Sequence, residues 1–262
     1  MTIVIKIGGS IAGNIENIAK NLKSLKEPCI LVHGVGPQAD ELTRKMGKEP
    51  RWVYSVEGIK SRYTDKETVE IFRTAATELN KEIVSVLKKA GVNAVGVEGA
   101  LYAKRKDRIK IVENGKKMML EGDYTGKITN INRECLTELL EKDFIPVIGP
   151  IAISEKNEAV NVNADRAASF IAKELSAETV LNFSDVPGVY DSEKKVMPHI
   201  SAEQLEQKMK EVSGGMVMKL LAAKEAMDFG VKKFIISSGK VENPIDRALN
   251  GEGTVVSRVE TV

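Results

Sequence analysis

Ile3-Val4-Ile5-Lys6-Ile7-Gly8-Gly9-Ser10 is an apolar run broken only by Lys6 and halted by two glycines. It predicts a buried strand whose carboxyl end leaves bare backbone N–H groups at the edge of a sheet, a place for phosphate. Outward from this stretch, apolar runs of strand length recur at residues 29–33, 92–97, 144–148, 179–183 and 233–237, alternating with helical patterns. That alternation predicts an α/β fold with a largely parallel central sheet. The longest helical pattern, residues 65–89, sets Val69, Phe72, Leu79, Ile83 and Val86 on one stripe. The stripe reads as core-facing, with a subunit interface as the second reading. Between residues 102 and 124 the period changes to alternation about Asn114-Gly115, the mark of a β-hairpin. A second hairpin is expected at residues 151–160, turning near 155–157. No linker, low-complexity stretch or internal repeat divides the chain, and a soft boundary falls near Ala177.

With 262 residues and 42% hydrophobic content the chain can bury a large core. Its 39 basic and 37 acidic residues leave a net charge of +2, too small a field to recruit nucleic acid or an anionic membrane, so an acidic partner must find a local patch. Cys29 lies in an apolar run and Cys135 in a helical pattern, which reads as two buried thiols in a reducing cytosol rather than a disulfide or metal site. No run of about 18 apolar residues is present and no secretory leader is visible, so a soluble cytoplasmic protein is expected.

The loop His33-Gly34-Val35-Gly36 follows a strand pattern and precedes a helix starting near Pro37, where amides and the helix dipole favour an anion. A plain strand-to-helix turn is the other reading, and His33 itself reads as a packed strand-end residue. Gly122 to Lys127 is one residue too short for a phosphate-binding P-loop. Arg62, in Ser61-Arg62-Tyr63-Thr64-Asp65, precedes a helix that Asp65 or Thr64 can cap and has the fork to hold a carboxylate; a solvated arginine is the alternative. Asn161-Val162-Asn163-Ala164-Asp165 straddles a helix start, with Asn163 as cap and more polar groups than a cap requires. Lys219 follows Gly214-Gly215 and opens a helical pattern of Leu220, Leu221, Lys224 and Met227.

Taken in order, these segments resemble the amino acid kinase superfamily, and within it the acetylglutamate kinase branch. Lys6-Ile7-Gly8-Gly9, His33-Gly34-x-Gly36, Ser61-Arg62-x-Thr64-Asp65, Asn161 to Asp165, Ser184-Asp185-Val186-Pro187-Gly188-Val189, Gly215-Met216-x-x-Lys219 and Gly253-Thr254-Val255 carry the resemblance over nearly the whole chain. It implies one domain, a three-layer αβα sandwich on an open eight-stranded, mainly parallel sheet. An amino lobe, residues 1–177, would bind the acyl acceptor and dimerise; a carboxyl lobe, residues 178–262, would bind ATP. Four segments are more similar to the carrier-linked aminoadipate and glutamate kinases, whose substrate hangs by its amino group from a small acidic carrier protein. They are Glu49 to Trp52, Glu57 to Asp65, Gly122 to Lys127 and Val241 to Ile245. The resemblance therefore implies a docking surface, for which Lys104, Arg105, Lys106, Arg108, Lys110, Lys116 and Lys117 on the hairpin are the candidates. A solvated basic edge is the alternative.

By the same resemblance Lys6 would stabilise charge on the transferring phosphoryl group, Lys219 the leaving side, and Asp165 would orient both. Arg62 and Asn161 would hold the acceptor's α-carboxylate and amide, with Gly34, Val35 and Gly36 offering backbone amides. Gly8, Gly9, Ser184, Asp185, Val186, Gly188, Val189, Tyr190, Gly215 and Met216 would bind ATP, with Mg²⁺ held chiefly by the phosphates and Asp165 as a further contact through water. The family has three glycines after the histidine; here Val35 takes the middle place, where a positive φ would be costly. A side-chain carboxylate is already ionised at neutral pH, so phosphorylating it needs positioning and charge neutralisation but no general base. Three readings stay open: a kinase for carrier-bound aminoadipate or glutamate, an N-acetylglutamate kinase, and a non-catalytic nucleotide-binding regulatory protein. A homodimer across the 65–89 helix is expected from the family, without feedback inhibition by arginine.

Overall fold

In the computed structural model, which describes residues 2–56 and 58–258, the opening run forms strand β1 (Ile3–Ile7) in the middle of a sheet. Among the described residues that sheet has eight strands. From one edge they are β12 (His199–Ser201), β14 (Thr254–Ser257), β13 (Lys233–Ser238), β11 (Thr179–Ser184), β1, β2 (Cys29–His33), β8 (Ile145–Ile148) and β5 (Ala94–Val97). Neighbours run parallel except β13 and β14. Central strands buried on both faces need apolar side chains throughout, which is why Val180, Leu181 and Phe183 or Phe234, Ile235 and Ile236 show no polar alternation.

Helices cover both faces and complete the three layers. On β1, Ile3, Ile5 and Ile7 point into one core with α1 (Ile15–Ser24), α2 (Gly36–Lys45), α3 (Lys66–Lys89) and α8 (Pro244–Leu249). Val4 points into the other, with α4 (Arg133–Glu141), α5 (Ala164–Glu174), α6 (Leu205–Glu211) and α7 (Gly215–Asp228). Lys6 shares the parity of Val4 and so projects on the α5–α7 side. Helix α3 is capped by the Asp65 carboxylate, which accepts from the Thr68 amide at 2.8 Å. Its buried stripe includes Val69, Phe72, Leu79 and Ile83 as expected, but Leu87 rather than the half-buried Val86 closes it.

A second sheet, of six strands among the described residues, takes the order β4 (Lys60–Arg62), β3 (Trp52–Ser55), β6 (Leu101–Glu113), β7 (Lys116–Ile131), β10 (Ala159–Asn161) and β9 (Ile151–Ile153). Both expected hairpins are there. Asn114 and Gly115 turn the first with φ of 51° and 73°, the double positive φ that makes Asn-Gly favourable in a two-residue loop. The pair β3–β4 is short and half-exposed, without periodicity to reveal it; it brings Arg62 opposite Trp52. The rejected P-loop segment lies inside β7, where a Cβ on Gly126 would stand 2.9 Å from Ala103 Cβ. Gly126 thus lets the strands approach closely.

Cys29 is buried, which pushes its thiol up to about 12 with help from the Glu27 charge, while Cys135 on α4 is only half-buried; both are free thiols. Among the described residues no helix is long and apolar enough to cross a membrane.

Candidate active site

Lys6 and Lys219, from opposite ends of the chain, meet at one carboxylate. Lys6 Nζ lies 2.7 Å from Asp165 Oδ1 and Lys219 Nζ 3.3 Å from the same oxygen. Local structure explains each placement. Lys6 is the penultimate residue of β1, paired in register with Asn182 of β11 and Val32 of β2. Asp165 stands in the first turn of α5, which Asn163 caps by accepting from the Arg166 amide at 3.0 Å, so the helix dipole also favours the carboxylate. Lys219 lies in the second turn of α7; that helix begins at Gly215, four residues before the start inferred from the apolar pattern. Alanines at 167, 168, 222, 223 and 226 let α5 and α7 pack closely, and the Ser169 hydroxyl donates to the Ala222 carbonyl at 2.8 Å across the contact.

Asn182 completes the group and was missed in the sequence, although a single amide inside the apolar run Thr179 to Ser184 is a readable signal. Its Nδ2 donates to Asp165 Oδ1 at 2.8 Å and its Oδ1 accepts from Lys219 at 3.1 Å. Burial alone would raise the Asp165 carboxyl, but attraction to Lys219 and Lys6 and the hydrogen bonds from Lys6 and Asn182 outweigh it. The group is held well below the usual carboxylate range. Burial pushes the Lys6 ammonium down to about 8 against the pull of Asp165, with the Lys219 charge adding to the shift. Two largely buried cations facing one anion leave a net positive charge at the head of the central strands, which suits polyphosphate.

This charge gives a pH prediction. Lys6 is protonated below about 8 and loses its charge above it, so kcat/KM for ATP in the free enzyme should be flat towards neutrality and fall on the alkaline side with an apparent pKa near 8. A profile still flat at pH 10 would remove Lys6 from the reacting charge.

A cleft of about 1080 Å³ opens in front of the lysines. Gly9, Gly34, Val35, Gly36, Arg62, Asn161 and Gly215 line it with Lys6, Asp165 and Lys219. Gly8 lies beside it, its Cβ position 3.9 Å from Lys6 Nζ. Gly9 is required where it is, because a Cβ would meet Gln38 Oε1 at 2.8 Å and Pro37 Cδ at 3.0 Å. Val35 has φ of −139°, so the strain expected for a residue in place of the family's middle glycine does not arise. His33 is wholly buried, as read from its strand end. Burial pushes its ring down to about 4, and Asn80 Nδ2, 3.2 Å from Nε2, directs the proton to Nδ1 facing the Gly34 carbonyl at 3.3 Å. The ring props the turn and exchanges no proton at neutral pH.

On the opposite wall Arg62 does not fork onto solvent. Nε donates to Asp40 Oδ1 at 2.9 Å and Nη2 to Oδ2 at 2.6 Å, with Trp52 and Phe72 rings 4.4 and 4.8 Å from the guanidinium carbon. Asn161 Nδ2 donates to the Thr64 hydroxyl at 3.3 Å. Asp123, also unread in the sequence, is buried at this end, its Oδ1 without a hydrogen-bond partner; burial pushes its carboxyl up. Ser184 ends β11 and Asp185, Val186 and Tyr190 follow it, outside the wall of this cleft, and Met216 is half-buried on α7. Gly188 and Val189 are buried, with the Val189 amide donating to the Thr254 hydroxyl at 2.8 Å, which anchors the loop.

The cleft contains no cluster of metal ligands: among the described residues no three His, Cys, Asp or Glu side chains gather to hold an ion. Asp165 Oδ1 already accepts from Lys6, Lys219 and Asn182. A divalent cation here would be carried by phosphate oxygens.

Comparison with known proteins identifies the family. Residues 1–238 match the model of the amino acid kinase family. A putative [LysW]-aminoadipate/[LysW]-glutamate kinase of Nitrosopumilus maritimus is 40% identical over 97% of this chain and 98% of its own, and a [LysW]-aminoadipate kinase of Thermus thermophilus is 39% identical over 97% and 99%. Among solved structures, an N-acetylglutamate synthase of Neisseria gonorrhoeae superposes with a TM-score of 0.84 at 20% identity over 99% of this chain, which spans 60% of that longer protein. A carbamate kinase of Giardia lamblia bound to AMP-PNP gives 0.72 at 16% identity, covering 98% of each chain. The ordered motifs, the eight-stranded sheet and these matches place the chain in the amino acid kinase family.

Proposed function

We propose that this protein transfers the γ-phosphoryl group of ATP to the side-chain carboxylate of 2-aminoadipate or glutamate whose amino group is joined to a small acidic carrier protein, in lysine or arginine biosynthesis. The observation that carries the chemistry is the shared Asp165 carboxylate, which holds two buried ammonium groups at the head of the central strands and facing the cleft. The acceptor is supported by the names and full-length similarity of the relatives.

In the reaction the acceptor carboxylate forms a bond to the γ-phosphorus while the bond to the β,γ-bridging oxygen breaks, giving an acyl phosphate and ADP without proton transfer. Lys6 neutralises the transferring group and Lys219 the departing β-phosphate, each held in position by Asp165. Mg²⁺, bound through the phosphates, supplies further neutralisation of their charge. Arg62 and Asn161 hold the acceptor's α-carboxylate and amide, and the Gly34 to Gly36 amides face its reacting end. Residues 178–262 hold the nucleotide, with Gly8, Gly9, Gly215 and Met216 around its phosphates and Ser184, Asp185, Val186 and Tyr190 beyond them. Gly188 and Val189 support that loop from beneath. Residues 1–177 hold the acceptor. A cytoplasmic homodimer packed across the outer face of α3 belongs to this reading.

The carrier docks on the hairpin. Lys106, Arg108 and Lys110 line the cleft mouth, and Lys104, Lys116 and Lys117 are exposed beyond it. Arg105 is withdrawn from this role, because it is engaged by Asp107 and Glu158 and lies over the Tyr124 ring. Exposed Trp52, Tyr54, Met118 and Met119 add apolar area on the same sheet. Lys110→Glu with Lys117→Glu should raise KM for the carrier conjugate about tenfold or more at low salt, with the difference shrinking as salt rises and KM for ATP unchanged. The deciding assay measures ATP turnover with the carrier conjugates and with free N-acetylglutamate. Exclusive use of the free amino acid overturns the carrier, and no acyl phosphate with any acceptor overturns the kinase.

A further inference from the structure

We propose that Asp40 is a positioning residue for the acceptor: it fixes Arg62 so that the end-on edge of the guanidinium, and not the side-on edge, meets the acceptor's α-carboxylate. This rests on the reading above that Arg62 holds that carboxylate. Arginine has five N–H donors arranged as two edges, each matched to a carboxylate. Asp40 occupies the side-on edge completely, Oδ1 on Nε at 2.9 Å and Oδ2 on Nη2 at 2.6 Å. One N–H of Nη2 and both of Nη1 remain, which is a second complete edge.

The plane of the group is fixed as well. Trp52 and Phe72 flank the guanidinium carbon at 4.4 and 4.8 Å, so an anion reaches it in the plane of the donors. Nη2, shared by both edges, stands beside the glycine turn, 4.0 Å from where a Cβ on Gly36 would be, and Arg62 lines the cleft. Both partners are mostly withdrawn from solvent, at 11% and 18% side-chain exposure, so the pair is not a surface ion pair that opens freely. Asp40 itself is carried on α2, the helix whose amino terminus is the Gly36 turn, which ties the orientation of the arginine to the loop facing the reacting end.

A competing role has the opposite sign. If Asp40 were an anion that the substrate must displace, its removal would free Arg62 and tighten acceptor binding. The geometry favours positioning, because a second donor edge stands ready and displacement is unnecessary. Pre-organising a long side chain in this way lowers the ordering that binding has to impose.

The test uses the carrier conjugate of 2-aminoadipate and the same conjugate with its α-carboxylate converted to a carboxamide. Asp40→Asn keeps the shape of the side chain and one acceptor oxygen for Arg62. It should raise KM for the carboxylate conjugate about tenfold, with KM for ATP and kcat within about twofold of the parent, and should add no loss with the carboxamide. Arg62→Lys should show the same dependence, and the double variant should be no worse than Arg62→Lys alone. An unchanged or lowered KM in Asp40→Asn overturns the proposal, as does an equal loss with carboxylate and carboxamide. If the parent enzyme itself fails to distinguish the two conjugates, the assignment of Arg62 falls and the proposal with it. Should Asp40→Asn fold poorly, Asp40→Glu, which keeps the charge but lengthens the stem, is expected to raise the same KM selectively.

Discussion

Lys6→Ala and Lys219→Ala should each lower kcat by about two to three orders of magnitude, the effect of removing one preorganised donor from developing charge, roughly 3 to 4 kcal/mol. The structure strengthens the expectation in two ways. Each ammonium is fixed by Asp165, Lys6 at 2.7 Å and Lys219 at 3.3 Å, so it needs no reorganisation when the phosphoryl group moves. Taking away either cation also leaves one lysine opposite one aspartate, so the site loses its excess positive charge along with the donor. Folding should survive, because loss of a lysine relieves like-charge repulsion between buried ammonium groups. The measurement is kcat with both substrates saturating, accompanied by thermal melting. Because the two lysines share one carboxylate, the double variant should fall short of the product of the single losses. A variant with a tenth or more of parental kcat would sink the assignment of that lysine.

Asp165→Asn should be nearly as damaging to activity and, unlike the lysine changes, should damage the fold. It leaves two ammonium groups in a buried site with no counter-charge, and breaking a buried ion pair from one side costs about 3–5 kcal/mol. For a chain of this length that corresponds to a fall in Tm on the order of 10 °C. The attraction that opposes burial at Lys6 is lost, so its ammonium should titrate below the value of about 8 it has beside Asp165. The alkaline limb of kcat/KM should therefore move towards neutral pH, and part of the lost activity should return at lower pH. ATP brings negative charge of its own, so it should raise the Tm of the variant more than that of the parent. Unchanged Tm together with an unmoved alkaline limb would show that the carboxylate does not govern the lysines.

Much of the architecture was legible because central parallel strands must be apolar on both faces. Residues 3–7, 29–33, 179–183 and 233–237 therefore stood out, and all are strands within a residue of those bounds. Asn114-Gly115 was equally plain, since few other pairs accept positive φ at both positions. By contrast β3 and β4, four and three residues of half-exposed chain, are too short to show a period and exist because β6 offers an edge. The Val35 concern was misplaced because a family pattern specifies a residue type, whereas the turn here uses a φ open to any residue.

For the site, the order of motifs was enough to nominate Lys6, Asp165, Lys219 and Arg62, since glycine turns and helix starts are local signals. Asn182 and Asp40 were not nominated. An amide in a strand and an aspartate within a helix acquire meaning only from what the register and the helix packing set beside them: Lys6 and Lys219 for one, the Arg62 fork for the other. By itself, then, the sequence determined the α/β alternation, the hairpins and the residue types available for phosphoryl transfer, because these follow from local periodicity and backbone preference. The resemblance implied that Asp165 orients both lysines, but only the tertiary structure decided that they meet on one of its oxygens and that Arg62 already has one edge occupied. Both depend on distances between segments far apart in the chain, which pairing the strands and packing α2, α5 and α7 against the sheet alone can set.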